Sequence, residues 1–141
     1  MKIGNTLPNI TKVVVQDDIN MYAEASGDHN PLHLDQQFAH STHFGQIVAH
    51  GMMILAYVSE MMTQAFGSYW LDTGGFKTRF RSPVYPGDSV VTFGEVVKSV
   101  EMNGAIQLTC QVGCRNEDGK EVISGEAWVT MPDENFNDVT Q

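Results

Sequence analysis

The stretch Gly51-Met52-Met53-Ile54-Leu55-Ala56-Tyr57-Val58 decides the fold, because it carries no charged side chain and offers a helix almost no polar face. The helical pattern continues to Phe66 as polar residues return, and the next residue, Gly67, favours the end of a helix. A helix that is apolar all round is buried instead of lying on a surface. The sequence therefore predicts a long, buried helix over residues 51–66.

The residues that follow this helix alternate between apolar and polar side chains, as β-strands do. One short and three longer runs of this kind lie at residues 76–81, 89–100, 105–116 and 121–131. Asn103-Gly104 and Asp118-Gly119 favour hairpin turns between the longer runs. The prediction is an α+β fold in which an antiparallel sheet wraps around one long central helix. The open edge of such a sheet favours pairing with a second copy.

Length and charge limit the possible functions. With 141 residues, the chain is predicted to form one domain over residues 1–141, with a flexible tail over residues 132–141. The net charge of −9 disfavours nucleic acid as a partner, because binding phosphates requires a basic surface. The longest strongly apolar stretch, residues 52–58, is far shorter than the ~20 residues of a membrane span. We therefore expect neither nucleic acid nor a membrane as a partner.

Cys110 and Cys114 are the only two cysteines. If they share a strand, they point to the same face about 13 Å apart, which is too far for a disulfide. Free thiols are typical of a reducing compartment. No apolar run follows Lys2, so no signal peptide is visible, and we expect a cytoplasmic protein.

Asp28 and His33 stand five residues apart, just beyond a helix predicted over residues 17–26. The Asn30-Pro31 pair between them disfavours helix at Asn30 and favours a turn. Such a turn can direct a carboxylate and an imidazole towards one point. A carboxylate and an imidazole that share a site are the groups that acid–base chemistry on a water molecule requires.

All five histidines fall between His29 and His50, which raises the possibility of a metal site. Their spacing matches no compact ligand motif such as His-Glu-x-x-His. The sequence also lacks a Gly-x-Ser-x-Gly elbow, a phosphate-binding loop and a dinucleotide-binding glycine motif. We predict no metal and no cofactor.

Gly51, within Ala49-His50-Gly51, stands at the start of the predicted central helix. The first N–H groups of a helix have no partner within it and carry partial positive charge. A glycine there lets a substrate carbonyl approach closely. The alternative is a glycine that serves only close packing.

Three segments together resemble the MaoC-like hydratase family, whose members include (R)-specific enoyl-CoA hydratases with a hot-dog fold. They are Asp28-His29-Asn30-Pro31-Leu32-His33-Leu34-Asp35, Phe44-Gly45-Gln46-Ile47-Val48-Ala49-His50-Gly51-Met52 and Phe80-Arg81-Ser82-Pro83-Val84-Tyr85-Pro86-Gly87-Asp88. The resemblance extends from about Asn5 to Met131. It implies a hot-dog fold, a homodimer or higher homo-oligomer, and an acyl-CoA thioester substrate.

The same resemblance implies roles for individual residues. Asp28 would be the general base that takes a proton from water, and His33 would hold the same water and handle the second proton. The backbone N–H of Gly51 would bind the thioester oxygen. Ser59 corresponds to a serine beside the active site in the (R)-specific hydratases and is predicted to bind substrate; the alternative is a hydroxyl bonded back to a carbonyl one turn earlier.

Three of the eight lysines and arginines of the chain lie within five residues and would share one strand face: Lys77, Arg79 and Arg81. This row could meet the phosphates of coenzyme A or of a carrier protein's phosphopantetheine. The alternative is an ordinary solvated face.

The leading hypothesis is an (R)-specific enoyl-CoA hydratase that adds water reversibly, in the syn sense, to a trans-2-enoyl-CoA and gives (R)-3-hydroxyacyl-CoA. The first alternative is a dehydratase of another 3-hydroxyacyl thioester, whether branched, dicarboxylic or bound to a carrier protein. A hot-dog thioesterase is a further alternative, with Glu60 as the only carboxylate of the central helix. The last is a non-catalytic acyl-binding subunit, which would have no need of the Asp28–His33 pair.

Overall fold

The computed structural model describes residues 1–133, which form five strands and five helices. The first part of the chain is mainly helical and contains β1 (Thr11–Val13), α1 (Gln16–Ser26), α2 (Pro31–Leu34), α3 (Gln36–His40), α4 (Gly51–Phe66) and α5 (Ser68–Thr73). The second part supplies the long strands β2 (Gly75–Phe80), β3 (Ser89–Met102), β4 (Ala105–Asn116) and β5 (Glu121–Pro132).

All five strands form one antiparallel sheet in the order β1-β3-β4-β5-β2. The predicted Asn103-Gly104 turn joins β3 to β4, and both residues take the positive φ angles, 47° and 83°, that such a tight hairpin needs. The α+β prediction is confirmed, as are the three long strands and their hairpin order.

The central helix α4 has the predicted bounds, and Gly67 follows it with its N–H donating to the Thr63 carbonyl. Its buried residues are Met53, Ile54, Val58, Met61, Met62 and Phe66, which join the sheet residues in one core. The expectation of burial all round is wrong for a single chain, since the Met52 side chain is 56% exposed. The sheet of one chain packs against one side of α4 and leaves the other side open.

Three further features differ from the predictions. The Asn30-Pro31 pair forms more than a turn: Asn30 is not helical, as predicted, but Pro31 begins the one-turn helix α2, because its fixed φ suits the first helical position. The helix α5 was not predicted. Pro132 of the expected tail pairs with Ala105 in the sheet, and Asp133 N–H donates to the Gly104 carbonyl. The rest of that tail, residues 134–141, lies outside the described residues.

Cys110 and Cys114 are both buried in β4, and burial raises the pKa of Cys110 to about 11 and that of Cys114 to about 12. Thiols with such pKa values are protonated at neutral pH and are poor nucleophiles. Within residues 1–133, none of the helices combines the length and the apolar character needed to cross a membrane.

Candidate active site

The loop between α1 and α2 carries Asp28. Asn30 follows it as the N-cap of α2, and its side chain accepts a hydrogen bond from Leu32 N–H at 3.0 Å. Asn30 N–H in turn donates to Oδ1 of Asp28 at 3.2 Å. The Asp-x-Asn-Pro sequence therefore fixes the start of α2 and the local position of the Asp28 carboxylate.

His33 lies in α2, and its side chain is held by the segment that precedes α4. Its Nδ1 lies 2.5 Å from the carbonyl oxygen of Val48. Because a carbonyl oxygen only accepts, Nδ1 must carry the proton. The other ring nitrogen, Nε2, is left to interact with substrate or water.

His50, the residue before α4, lies beside Asp28 and His33. It is 2% exposed, and its Nε2 lies 3.0 Å from the main-chain carbonyl oxygen of Asp28. Its ring stacks on His33 with the two centroids 3.9 Å apart and the planes at 26°, and Tyr22 packs on it at 4.8 Å. The predictions named this histidine only within the cluster of five histidines and within the segment around Gly51, and its place directly before the helix glycine was the available signal.

A cavity of about 580 Å³ opens beside these residues. Asp28, His33 and His50 contribute polar groups to it, and its apolar walls include Ile54 from α4 and Phe80 from β2. Further wall residues come from the segment after β2 and from β5: Ser82, Pro83, Val84, Val122 and Ile123. An apolar cavity with a few converging polar groups is typical of a small-molecule site.

Gly51 also lines this cavity, as the first residue of α4. The first N–H groups of an α-helix have no acceptor within the helix and are available to an oxygen atom. A Cβ at this position would lie 2.9 Å from the Phe80 ring, which is 56% exposed, so a larger residue would have to displace that ring. The structure thus places Asp28, His33 and Gly51 around one cavity.

Ser59 is not brought to this cavity. Within residues 1–133, the residues that line the cavity do not include Ser59, whose hydroxyl accepts a hydrogen bond from Trp70 Nε1 at 3.0 Å. Its predicted contact with substrate stays a prediction.

Lys77, Arg79 and Arg81 do share one face, as predicted, and line a groove on the outer side of the sheet. The groove also contains Glu121 and Glu126. Of the three cations, Arg81 also lines the cavity that holds Asp28 and His33. It therefore connects the outer groove to the site.

The ligand atoms of Asp28, His33 and His50 lie within 4.8 Å of one another, so a shared metal ion must be considered. The two imidazoles are stacked, and the lone pairs of nearly parallel rings lie in the ring planes. Such lone pairs do not converge on one ion between the rings. The group therefore fits acid–base chemistry better than metal binding, and the absence of a metal stays a prediction.

Residues 2–117 match the family model described as MaoC like domain. The chain belongs to this family. It is 33% identical over 118 residues to the (R)-specific enoyl-CoA hydratase of Aeromonas caviae, covering 82% of this chain and 84% of that protein. It is 31% identical over 134 residues to a mitochondrial 3-hydroxyacyl-[acyl-carrier-protein] dehydratase of Arabidopsis thaliana, covering 94% of this chain and 78% of that protein.

A solved structure of the (R)-hydratase from A. caviae involved in PHA biosynthesis matches this MaoC-like chain with a TM-score of 0.81 at 28% identity. The match covers 94% of this chain and 98% of that one. The fold is therefore the predicted hot-dog fold. The relatives are hydratases and dehydratases, so this MaoC-like protein is a hydro-lyase.

Proposed function

We propose that this MaoC-like protein is an (R)-specific enoyl-CoA hydratase. It would add water reversibly, in the syn sense, to a trans-2-enoyl-CoA and form (R)-3-hydroxyacyl-CoA. The observation that carries the proposal is the juxtaposition of the Asp28 carboxylate and the His33 imidazole beside the start of α4, at one cavity.

In this mechanism Asp28 takes a proton from water as the water oxygen bonds to C3 of the enoyl chain. His33, which begins the cycle protonated on both ring nitrogens, gives the Nε2 proton to C2. The proton on Asp28 then passes to Nε2 of His33 and resets the pair. The bond from His33 Nδ1 to Val48 supports this role, because it keeps Nε2 directed at the reacting water. Each positioned acid or base typically contributes 10²–10⁴-fold.

The thioester oxygen becomes negatively charged as C3 is attacked, and it needs a donor in place before the reaction. The backbone N–H of Gly51 at the start of α4 is the proposed donor. A single donor of this kind contributes about 2.7–4 kcal/mol in other enzymes. Because base and acid approach from one side of the double bond, the addition is syn.

The runner-up is dehydration of another 3-hydroxyacyl thioester, including one bound to a carrier protein. The Arabidopsis relative named above, a 3-hydroxyacyl-[acyl-carrier-protein] dehydratase, favours it. The same groups catalyse both directions, so the two candidates differ only in the substrate. Thioesterase activity is disfavoured, because Glu60 lies 3.1 Å from Lys12 and is not among the residues lining the cavity within residues 1–133.

We further propose a homodimer. Strand β2 is at the edge of the sheet and pairs only with β5 in the described chain. Met52 of α4 and Phe80 of β2, both 56% exposed, line the cavity and leave part of its apolar wall open. A second copy paired through β2 would cover them. The cytoplasmic location stays a prediction, supported by the two free buried thiols.

The test is to offer the protein a panel of C4 to C12 trans-2-enoyl-CoA thioesters. Hydration is measured as loss of the enoyl absorbance, and chiral analysis gives the configuration of the product. We expect hydration that gives the (R)-alcohol for at least one chain length. The same panel attached to carrier protein separates the runner-up. If no thioester is hydrated and no 3-hydroxyacyl thioester is dehydrated, the proposal is wrong.

A further inference from the structure

The His50 ring contains a buried nitrogen without a partner. Within residues 1–133, its Nδ1 is the one buried side-chain nitrogen or oxygen that has no hydrogen-bond partner. Leaving such an atom unpaired in a protein interior is unfavourable, and exceptions often have a functional reason. A phenylalanine would fill similar space without this cost.

The contacts of His50 show what the histidine adds. Packing against His33 and Tyr22 needs only a flat ring. The bond from Nε2 to the Asp28 carbonyl oxygen, 3.0 Å long, needs a donor in the plane of that ring. Because a carbonyl oxygen can only accept, Nε2 carries a proton and is the donor in this bond.

The other side-chain hydrogen bonds of the loop around Asp28 are short-range, and the longest of them, between His29 Nε2 and Glu24 Oε1, spans five residues. Asp28 N–H donates to the Ser26 hydroxyl, and the Asp28 carboxylate accepts from Asn30 N–H. These bonds join residues two positions apart and move with the loop. The bond to His50 spans 22 residues and ties the loop to the residue that precedes Gly51.

We propose that His50 is a positioning residue that holds the main chain of Asp28 at the place from which its carboxylate and His33 reach the same water. The inference rests on the proposed function, since it assigns His50 a part in the same reaction. His50 acts through Asp28 and His33 and does not itself exchange a proton with substrate. It also links the general base to the proposed N–H donor, because Gly51 is its neighbour in the chain.

The test compares two substitutions that remove different parts of the side chain. His50→Phe keeps a flat ring and removes the donor, whereas His50→Gln keeps an amide N–H near the position of Nε2 and removes the ring. We expect His50→Phe to lower kcat about 10- to 100-fold, as misplaced catalytic groups do, with KM changed by less than about threefold. His50→Gln should recover kcat to within about fivefold of the wild type.

The matched control is His40→Phe, the same substitution at an exposed histidine of α3, which should leave both constants unchanged. Ring ¹⁵N NMR of the wild type should show a proton on Nε2 of His50. Wild-type kcat in His50→Phe, equal losses in the Phe and Gln variants, or an Nδ1–H tautomer would each overturn the inference.

Two further outcomes are also decisive. If His50→Phe does not fold, His50→Asn replaces it, because the shorter amide cannot reach the Asp28 carbonyl; equal kcat in the Asn and Gln variants then overturns the inference. If the wild type itself is inactive on every thioester of the panel, the proposed function fails, and this inference fails with it. An active wild type with unaffected variants removes only the role of His50.

Discussion

The polar groups at the cavity and those on the outer face of β2 are held very differently. His33 bonds to a main-chain carbonyl, and the main chain of Asp28 is bound by a buried histidine. Lys77 and Arg79 are exposed and, within residues 1–133, form no ion pair. Groups fixed by the fold can be pre-organised for one geometry, whereas exposed cations keep their rotamer freedom and are screened by solvent.

This difference predicts that substitutions at the cavity abolish chemistry, whereas substitutions on the outer face change binding at most.

Asp28→Asn should have the largest effect, because it keeps the shape of the side chain and removes the base. We expect kcat to fall by about 10²–10⁴-fold. The measurement is hydration of crotonyl-CoA, with thermal unfolding as the check that the fold is intact. Glu126→Gln in the outer groove is the matched control and should retain full activity. An Asp28→Asn variant that is nearly as active as the wild type would contradict the role of Asp28 as the general base.

Gly51→Ala should reduce both stability and activity. The new Cβ would lie 2.9 Å from the Phe80 ring, so the ring or the start of α4 must shift. We expect the free energy of unfolding to fall by about 1 kcal/mol, at the low end of overpacking because the exposed Phe80 ring can move, and kcat to fall by at least ~10-fold. Urea unfolding and the hydration assay measure the two effects.

Phe80→Ala in the same chain removes the ring atoms that clash and serves as the control for Gly51→Ala. It should restore most of the stability. A Gly51→Ala variant with unchanged stability and unchanged kcat would contradict the described packing of Phe80 and the role of the Gly51 N–H.

Replacing Arg79 and Arg81 with alanine should act on binding. If the row meets the phosphates of coenzyme A, KM for crotonyl-CoA should rise about 3- to 10-fold, which corresponds to ~0.7–1.4 kcal/mol, with little change in kcat. The single Arg81→Ala change should account for most of the effect, because Arg81 also lines the cavity. Crotonyl N-acetylcysteamine, which lacks the phosphates, is the control substrate. An unchanged KM for crotonyl-CoA removes the phosphate role.

Lys77→Ala should have the smallest effect. Lys77 lies opposite Glu126 in the sheet register, and an exposed cross-strand pair of this kind stabilises a fold little. We expect the free energy of unfolding to change by less than about 0.5 kcal/mol, measured by urea unfolding. A loss several times larger would show that the outer face is more ordered than its exposure implies.

The parts of the fold that depend on local sequence could be predicted. The bounds of α4 followed from an apolar run and a terminal glycine, and the hairpin between β3 and β4 followed from Asn103-Gly104. Asp28 and His33 could be singled out because the Asn30-Pro31 signal between them is local. For the same reason, the motif supported a family resemblance that covers nearly the whole chain.

The parts that depend on tertiary packing could not be predicted. The bond from His50 to Asp28 joins residues 22 positions apart, and no periodicity of the sequence reports it. The hydroxyl of Ser59 turns to Trp70 on α5, a helix that the sequence signals missed. The open side of α4 was missed because an apolar pattern shows that a face avoids water and does not show what covers it.

The most direct test of the account is the stereochemistry of hydration by the wild-type protein in D₂O. Crotonyl-CoA is converted to 3-hydroxybutyryl-CoA, and NMR of the product gives the relative configuration of the deuterium at C2 and the oxygen at C3. A base and an acid that approach one side of the double bond predict syn addition, and the proposed (R)-specificity predicts the (R)-alcohol. Anti addition would contradict a mechanism in which Asp28 and His33 share one water molecule, and an (S)-product would contradict the proposed (R)-specificity.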